Sequence, residues 1–250
     1  MNNYPRVVLT EECMRDGLQI ERMQSTDAKL ALLDALVDAG LRRIVVGSFV
    51  HPKWTPQMAD TDELLGRLQP REGVTYLALA LNEKGRQRMA GWTPPLTMDE
   101  LPGTLLHLDP VFIKRNTNRT MEQQEATWRV AIDAAKAAGA TQASIGLSSG
   151  WGSNFTGKVD REHRLSRLAE QFDLWTAAGI EVASATFADP MGWVTPNDLA
   201  EDLNVLTATY PSITEYYLHL HNTRGLALTS AYAAVGALDS RHTLRLDCAV

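Results

Sequence analysis

Two short motifs carry the side chains best suited to chemistry. The first is Arg15-Asp16, which follows an apolar run and offers a cationic donor beside a carboxylate. The second is His219-Leu220-His221, in which one residue separates two imidazoles. Strand alternation places two such imidazoles on one face, about 6–7 Å apart at their α-carbons. A carboxylate and two imidazoles suit Mg²⁺, Mn²⁺ or Zn²⁺ and leave coordination positions open for substrate oxygens.

Both motifs also have a purely structural interpretation. An Arg-Asp pair before a glycine turn is compatible with an ordinary surface ion pair, and strand histidines can be satisfied by hydrogen bonds inside a core. Gln19, three residues beyond Asp16, fits either a substrate pocket or a solvated loop. The residues by themselves leave these alternatives open.

The elements that must position these motifs follow an alternating pattern. Short apolar, β-branched runs alternate with segments of helical period, as expected for parallel strands joined by crossover helices. The predicted strands cover residues 7–11, 43–48, 74–81, 105–113, 143–147, 181–186, 215–221 and 243–247. The predicted helices lie near residues 26–38, 56–69, 83–90, 120–138, 161–178, 196–209 and 224–237.

Eight alternating strands in 250 residues favour an α/β fold of the (β/α)₈ TIM-barrel type over a doubly wound open sheet, which more often has five to seven strands. We predict one catalytic domain over residues 1–250, ending at strand eight. Gly40, Gly139 and Gly179 each close a helical stretch before a strand, as left-handed helix caps do. In such barrels the chemistry lies at the carboxyl ends of the strands.

Composition narrows the class of protein. The net charge is −6 and no basic block occurs, which argues against nucleic-acid binding. No apolar run approaches the roughly 18–20 residues needed to cross a bilayer. Two cysteines and an N-terminus without a signal pattern predict a reducing compartment, and hence a cytoplasmic protein.

The segments around these motifs resemble one enzyme family. Residues 15–19 (Arg-Asp-Gly-Leu-Gln), 48–60 (Ser-Phe-Val-His-Pro-Lys-Trp-Thr-Pro-Gln-Met-Ala-Asp) and 189–196 (Asp-Pro-Met-Gly-Trp-Val-Thr-Pro) are similar to segments of the hydroxymethylglutaryl-CoA lyase family. The resemblance covers essentially the whole chain, most closely residues 6–90 and 181–230. The Lys-Trp-x-Pro-Gln-Met run narrows it to the acyl-CoA lyase branch of a wider group of TIM-barrel metallolyases.

The resemblance implies a retro-Claisen cleavage of a 3-hydroxy-3-substituted glutaryl-CoA thioester to acetyl-CoA and a keto acid. Asp16, His219 and His221 would hold the divalent cation, with Mg²⁺ or Mn²⁺ favoured over Zn²⁺. Arg15 and Asp16 are the implied catalytic residues, and Arg15 and Gln19 would contact the substrate. An acyl-CoA is the expected small-molecule partner, and a homo-oligomer is left open.

Three features depart from the family pattern. Val45 stands where the family has a glutamate, and Asn222 stands where it has an aspartate. The chain ends at Val250 in the predicted eighth strand, so we expect a truncated member without the family's catalytic cysteine and an asparagine ligand. Cys13 and Cys248 do not occupy that cysteine's position and are predicted to be packed small side chains.

Two alternatives stand beside this lyase activity. One is a citramalyl-CoA lyase, or another aldolase or Claisen-type synthase of the same metal-dependent family. The other is a barrel that binds metal or acyl-CoA without turnover, which the valine at position 45 and the early chain end would explain.

Overall fold

The computed structural model describes residues 3–98 and 100–249, and the chain divides into two compact units. The larger unit comprises Met1–Val8 and Glu100–Leu246, and the smaller unit comprises Leu9–Asp99 and Asp247–Val250. The boundary passes through strands β1 (Arg6–Glu11) and β10 (Thr243–Cys248), so both strands contribute to both units. The single-domain organisation over residues 1–250 stays a prediction.

The smaller unit is built on strands in the order β3 (Thr75–Leu79), β2 (Arg43–Ser48), β1 and β10. Strand β2 runs parallel to both β1 and β3. Its helices are α1 (Thr26–Asp38), α2 (Thr61–Arg67) and α3 (Glu83–Ala90). At the end of β1, the backbone N–H of Glu12 donates to the carbonyl oxygen of Cys248 over 2.7 Å, which fixes the two strand ends side by side.

The larger unit is built on strands in the order β1, β10, β9 (Glu215–Leu220), β8 (Glu181–Asp189), β5 (Gln142–Ser148) and β4 (Leu106–His107). The pairs from β10 to β4 are all parallel. A short antiparallel hairpin, β6 (Gly152–Ser153) and β7 (Gly157–Lys158), follows β5. The helices are α4 (Pro110–Thr117), α5 (Met121–Ala137), α6 (Arg161–Ala177), α7 (Pro196–Thr209) and α8 (Ala227–Ala237).

Each unit has its own apolar core. Trp175 and Tyr216 are fully buried in the larger unit, and the Trp175 indole N–H donates to Thr104 Oγ1 over 3.1 Å. Ile44 and Leu64 are fully buried in the smaller unit. Burying one such side chain stabilises a fold by about 1.5–3 kcal/mol. The cores therefore hold the strands, and with them the strand ends, in fixed positions.

The predicted helices agree closely with the observed ones. All seven are present, although the predicted segment 56–69 begins with a 3₁₀ turn (Pro56–Met58) before α2. Gly40, Gly139 and Gly179 have φ angles of 101°, 72° and 79°, the left-handed conformation that glycine adopts most readily. The glycines that follow these helices therefore marked the helix ends correctly in the sequence.

The fourth predicted strand, residues 105–113, is wrong over most of its length. Only Leu106–His107 forms a strand, and Pro110–Thr117 forms the additional helix α4. Asp109 caps this helix, because its carboxylate accepts a hydrogen bond from the backbone N–H of Phe112 over 2.5 Å. Proline suits the first helical turn, so the Asp-Pro pair is the start signal that the apolar run concealed.

A membrane-crossing helix needs about 20 mainly apolar residues. Within residues 3–98 and 100–249, no helix combines that length with that composition. The cytoplasmic location stays a prediction from the sequence.

Candidate active site

The chain after β1 turns through a π-helical segment, Cys13–Gly17, that carries Arg15 and Asp16. The carbonyl oxygen of Glu12 accepts hydrogen bonds from the backbone N–H groups of Arg15, Asp16 and Gly17 over 3.0, 2.7 and 3.2 Å. Single π-helical turns are rare and occur frequently at functional sites. This turn fixes the backbone of both predicted catalytic residues at the carboxyl end of a strand.

The Arg15 guanidinium is held by two carboxylates. Its Nε and Nη2 atoms both lie 2.7 Å from Glu12 Oε2, and its Nη1 donates to Asp16 Oδ1 over 2.9 Å. Burial alone would lower the pKa of Arg15, but Glu12, Asp16 and Asp247 outweigh burial and raise that pKa above its usual value. Arg15 is therefore a fixed, permanent cation.

The structure brings the side chains of Gln19 and Asp16 together. The Gln19 amide nitrogen donates to Asp16 Oδ1, the same oxygen that accepts from Arg15. Both side chains are partly exposed. Gln19 therefore orients the predicted metal ligand, a role that the sequence alone did not suggest.

Glu12 and Asp247 belong to the same cluster and were not predicted. Glu12 is 5% exposed, and carboxylate oxygens of Glu12 and Asp247 lie within 4.8 Å of each other. The available signals were weak: Glu12 adjoins a second glutamate, and Asp247 stands one residue before Cys248 in the last strand. Their proximity depends on the pairing of two strand ends far apart in sequence.

The two histidines of the second motif face each other at the end of β9. Their Nε2 atoms are 3.1 Å apart and their ring centroids 5.0 Å apart, and both side chains are half-buried. Two imidazole nitrogens that bind one cation at about 2.1 Å and at right angles are about 3.0 Å apart. The donor set and spacing of His219 and His221 therefore fit a shared divalent cation.

Asp189, the last residue of the neighbouring strand β8, is a further buried carboxylate that was assigned no role from the sequence. Its Oδ2 accepts from the backbone N–H of Val194 over 2.7 Å, and its carbonyl oxygen accepts from the backbone N–H of His221 over 3.2 Å. Its buried Oδ1 has no hydrogen-bond partner among the described residues. A polar atom of this kind is costly unless a ligand or water satisfies it.

The departures from the family pattern have clear positions. Val45 is a buried residue of β2 that pairs with Leu77 of β3. Asn222 lies in the loop after β9, where its side-chain oxygen accepts from the backbone N–H of Ala227 over 3.1 Å. Asn222 therefore helps to organise the start of α8.

Neither cysteine has the environment of a nucleophile. Burial and the nearby Glu11 carboxylate raise the pKa of Cys248 to about 12. The same two causes raise the pKa of Cys13. Both thiols therefore stay protonated at neutral pH. Both side chains are only partly buried, and their role as small packed side chains stays a prediction.

The sequence pattern of the HMGL-like family matches residues 6–239 of this chain. Mitochondrial hydroxymethylglutaryl-CoA lyase of Bos taurus is 30% identical over 238 residues, which cover 94% of this chain and 69% of the relative. A hydroxymethylglutaryl-CoA lyase of Bacillus subtilis is 28% identical over 236 residues, covering 93% of this chain and 74% of the relative.

Solved structures give the same result. An HMG-CoA lyase from Acinetobacter baumannii, determined in complex with coenzyme A and 3-methylmalate, matches with a TM-score of 0.75 and 30% identity over 98% of this chain and 75% of that one. The Bacillus subtilis HMG-CoA lyase structure matches with a TM-score of 0.76 and 26% identity over 100% and 78%. The predicted α/β TIM-barrel class is confirmed. The chain belongs to the HMGL-like family of divalent-metal-dependent enzymes, and it is a carbon–carbon lyase.

Proposed function

We propose that this chain cleaves a 3-hydroxy-3-substituted glutaryl-CoA thioester to acetyl-CoA and a keto acid. The observation that carries the proposal is the 3.1 Å approach of the His219 and His221 Nε2 atoms at the end of a barrel strand. The relatives named hydroxymethylglutaryl-CoA lyase support the substrate class. Asp16, His219 and His221 are the proposed ligands of one divalent cation, with Mg²⁺ or Mn²⁺ favoured over Zn²⁺.

The proposed reaction has three bond changes, and the proton lost from the hydroxyl balances the proton later gained at C2. The hydroxyl at C3 loses its proton, and the bond between C2 and C3 breaks with its electron pair moving to C2. The resulting thioester enolate then takes up a proton at C2, which completes acetyl-CoA. The carbon that carried the hydroxyl becomes the ketone of the keto acid.

The environment of Arg15 suits the enolate stage. An arginine has five N–H donors, and Glu12 and Asp16 engage its Nε, Nη1 and Nη2 atoms once each. Two donors therefore stay available to a substrate oxygen, counted over the residues that the structure describes. A preorganised cation that meets charge as it develops is worth several kcal/mol to a transition state, typically about 10²–10³ in rate per donor.

Asp16 and Gln19 would act on the proposed cation. Gln19 and Arg15 share Asp16 Oδ1, so the Asp16 carboxylate is held by two donors in one orientation. A bound divalent cation would supply Lewis acidity toward the substrate hydroxyl and carboxylate oxygens. The carboxylate orientation set by Gln19 and Arg15 would then keep one oxygen of Asp16 directed at the cation.

A second candidate is cleavage of a shorter or differently substituted hydroxyacyl-CoA, such as citramalyl-CoA. The specific observation in its favour is the structure of the Acinetobacter relative with coenzyme A and 3-methylmalate, which is a branched hydroxy dicarboxylate. The same residues would perform the same cleavage, and only the acyl-binding contacts would differ.

Product analysis tests the proposed function. The purified chain is incubated with Mg²⁺ or Mn²⁺ and with either 3-hydroxy-3-methylglutaryl-CoA or citramalyl-CoA. We expect acetyl-CoA to form with acetoacetate from the first substrate, or with pyruvate from the second. A chain that binds coenzyme A and metal but forms acetyl-CoA from neither thioester would contradict the proposal and support the binding alternative.

Metal binding tests the ligand set separately. We expect Asp16→Asn and His219→Ala each to weaken Mn²⁺ binding by about 10-fold or more, because each changes a proposed ligand. Changes to residues that only support a ligand already cost about 10–100-fold in metal affinity. His163→Ala is the matched control, since His163 is exposed on α6. Equal Mn²⁺ affinity in Asp16→Asn and the wild-type chain, measured by titration calorimetry, would remove Asp16 from the ligand set.

A further inference from the structure

Three loops of the larger unit meet beyond the carboxyl ends of β5, β8 and β9. They carry Asn154, Trp193 and Arg224 respectively. At Gly192, whose φ is +67°, an added Cβ atom would lie 2.9 Å from the carbonyl oxygen of His221 and 3.3 Å from the backbone nitrogen of Arg224. The loop after β8 therefore packs directly against the segment that links the histidine pair to Arg224.

The Arg224 side chain is held in one position although it is exposed. Its guanidinium carbon lies 3.9 Å from the centroid of the Trp193 ring, and its Nη2 donates to Asn154 Oδ1 over 3.2 Å. The Trp193 indole N–H donates to the same oxygen over 3.0 Å. The backbone N–H of Asn154 in turn lies 3.3 Å from Met191 Sδ, which ties the hairpin to the loop after β8.

Arg224 differs from the other fixed arginines of this unit because no carboxylate oxygen of the described residues lies within 4.0 Å of its guanidinium. Within 4.0 Å of a carboxylate oxygen lie the guanidinium groups of Arg161, Arg164, Arg167, Arg241 and Arg245. Over the described ranges, Arg224 makes one hydrogen bond and no ion pair. Four of its five N–H donors therefore have no acceptor in the part of the chain that the structure describes.

We propose that Arg224, Trp193 and Asn154 form a binding subsite for a phosphate group of the acyl-CoA substrate, an assignment of ligand that rests on the proposed function. A planar guanidinium binds phosphate through two parallel hydrogen bonds. Stacking on the indole fixes the guanidinium plane before the ligand arrives, so less side-chain entropy is lost on binding. The amide nitrogen of Asn154 provides an additional donor beside it.

The exposure of Arg224 favours a phosphate over the acyl carboxylate. His219 and His221 are half-buried, and the acyl group must reach them to be cleaved under the proposed function. Arg224 is exposed, where a phosphate keeps part of its hydration. A second exposed cation stands beside the same hairpin, because the Arg115 guanidinium lies 4.6 Å from the centroid of the Phe155 ring. Two exposed arginines therefore contact this hairpin, a charge arrangement that suits a phosphate ligand.

Direct binding tests this subsite independently of turnover. Titration calorimetry compares coenzyme A, dephospho-coenzyme A and pantetheine on the wild-type chain and on Arg224→Gln. Hydrogen bonds to charged groups contribute enough that their loss is expected to weaken coenzyme A binding about 10-fold. The ratio of the Kd for pantetheine to the Kd for coenzyme A should fall by the same factor, because pantetheine has no phosphate.

Arg129→Gln is the matched control, because Arg129 is an exposed arginine on α5 with no charged or aromatic contact in the described part of the chain. It should change no Kd by more than about 2-fold, within the range of a neutral surface substitution. Thermal midpoints of both variants verify that the fold is intact.

The comparison with dephospho-coenzyme A shows which phosphate is bound. A loss that persists with this ligand assigns the subsite to the diphosphate, and a loss that disappears assigns it to the 3′-phosphate. An Arg224→Gln chain that binds coenzyme A like the wild type, or a wild-type chain that binds none, would overturn the subsite. Arg224-dependent coenzyme A binding in a chain that cleaves neither thioester would support the subsite while contradicting the proposed function.

Discussion

The carboxyl ends of β1 and β9 supply the predicted metal ligands in two different ways. After β1, the Asp16 carboxylate accepts from Arg15 and Gln19, and Arg15 is also bound by Glu12. At the end of β9, two imidazoles face each other across 3.1 Å. One end is a network of opposite charges, and the other is a pair of like ligands.

The two strand ends should therefore differ in how well they tolerate substitution. In a charge network every member has a protein partner, so one substitution disturbs several neighbours and leaves a buried group unpaired. In the histidine pair, His219 lies on β9 and His221 directly follows it, so the alternation of the extended chain places both rings on one face. We therefore expect catalysis to depend on the hydrogen-bonding geometry of the side chains at the β1 end as well as on their charges.

The largest effect is expected for Arg15→Lys, which keeps the charge but loses the planar fork. A lysine cannot reproduce the Nε and Nη contacts with Glu12 and Asp16 while also reaching a substrate oxygen. We expect kcat for thioester cleavage to fall about 10²–10³-fold, with a smaller change in KM, because enolate charge appears only as the bond breaks. Steady-state kinetics with saturating Mg²⁺ measures both constants.

The exposed arginine Arg129 again provides the control, as Arg129→Lys should leave kcat unchanged. An Arg15→Lys enzyme with the wild-type kcat and confirmed metal binding would remove Arg15 from the chemical step. It would also mean that the charge network after β1 is only structural.

A smaller effect is expected for Glu12→Gln, which keeps the shape of the side chain but removes one negative charge beside Arg15. The Arg15 guanidinium would keep its charged contact with Asp16 but lose the one with Glu12, so we expect kcat to fall about 10-fold, the cost of roughly one charge-assisted hydrogen bond. Thermal midpoints separate this effect from unfolding, because Glu12 is buried.

Glu12→Asp separates the orientation of the Arg15 guanidinium from the negative charge beside it. The shorter side chain restores the charge but cannot hold Nε and Nη2 together, so we expect it to recover kcat only partly. Full activity in Glu12→Gln would contradict a positioning role for Glu12.

The sequence predicted the β9 end better than the β1 end, for physical reasons. His219 and His221 sit on and next to a regular strand, where a period of two fixes which side chains share a face. The π-helical turn after β1 depends on one carbonyl oxygen, that of Glu12, accepting from three N–H groups, and no residue pattern specifies this.

Contacts between segments distant in sequence were also beyond prediction. Asp247 approaches Glu12 because β10 ends beside β1, and Arg224 stacks on Trp193 because two loops pack at Gly192. Helix α4 shows the opposite case, since its start signal, Asp109-Pro110, is present in the sequence. The apolar residues around this signal resemble a strand, although Asp109 caps a helix.

The smallest effect concerns a third strand end, that of β4, where His107 has no second imidazole beside it among the described residues. His107 is 8% exposed, and its Nδ1 has no hydrogen-bond partner within the described residues. Burial lowers the pKa of His107 to about 4, so its ring is neutral in the folded chain at neutral pH.

The lowered pKa of His107 makes the free energy of unfolding depend on pH. The unfolded chain binds a proton at this histidine near pH 6.5, whereas the folded chain does so only near pH 4. Stability from the neutral ring is therefore complete above about pH 6.5 and is lost as the pH falls toward 4. Between pH 7 and pH 5.5 the wild-type chain should lose about 1 kcal/mol of unfolding free energy that His107→Leu does not lose.

Denaturant unfolding at both pH values measures this difference. His163→Leu is the control, because the His163 ring is exposed to water in the folded chain as well as in the unfolded chain. Parallel pH profiles for the wild-type chain and His107→Leu would mean that His107 is protonated at little cost, and that burial at this strand end does not exclude charge.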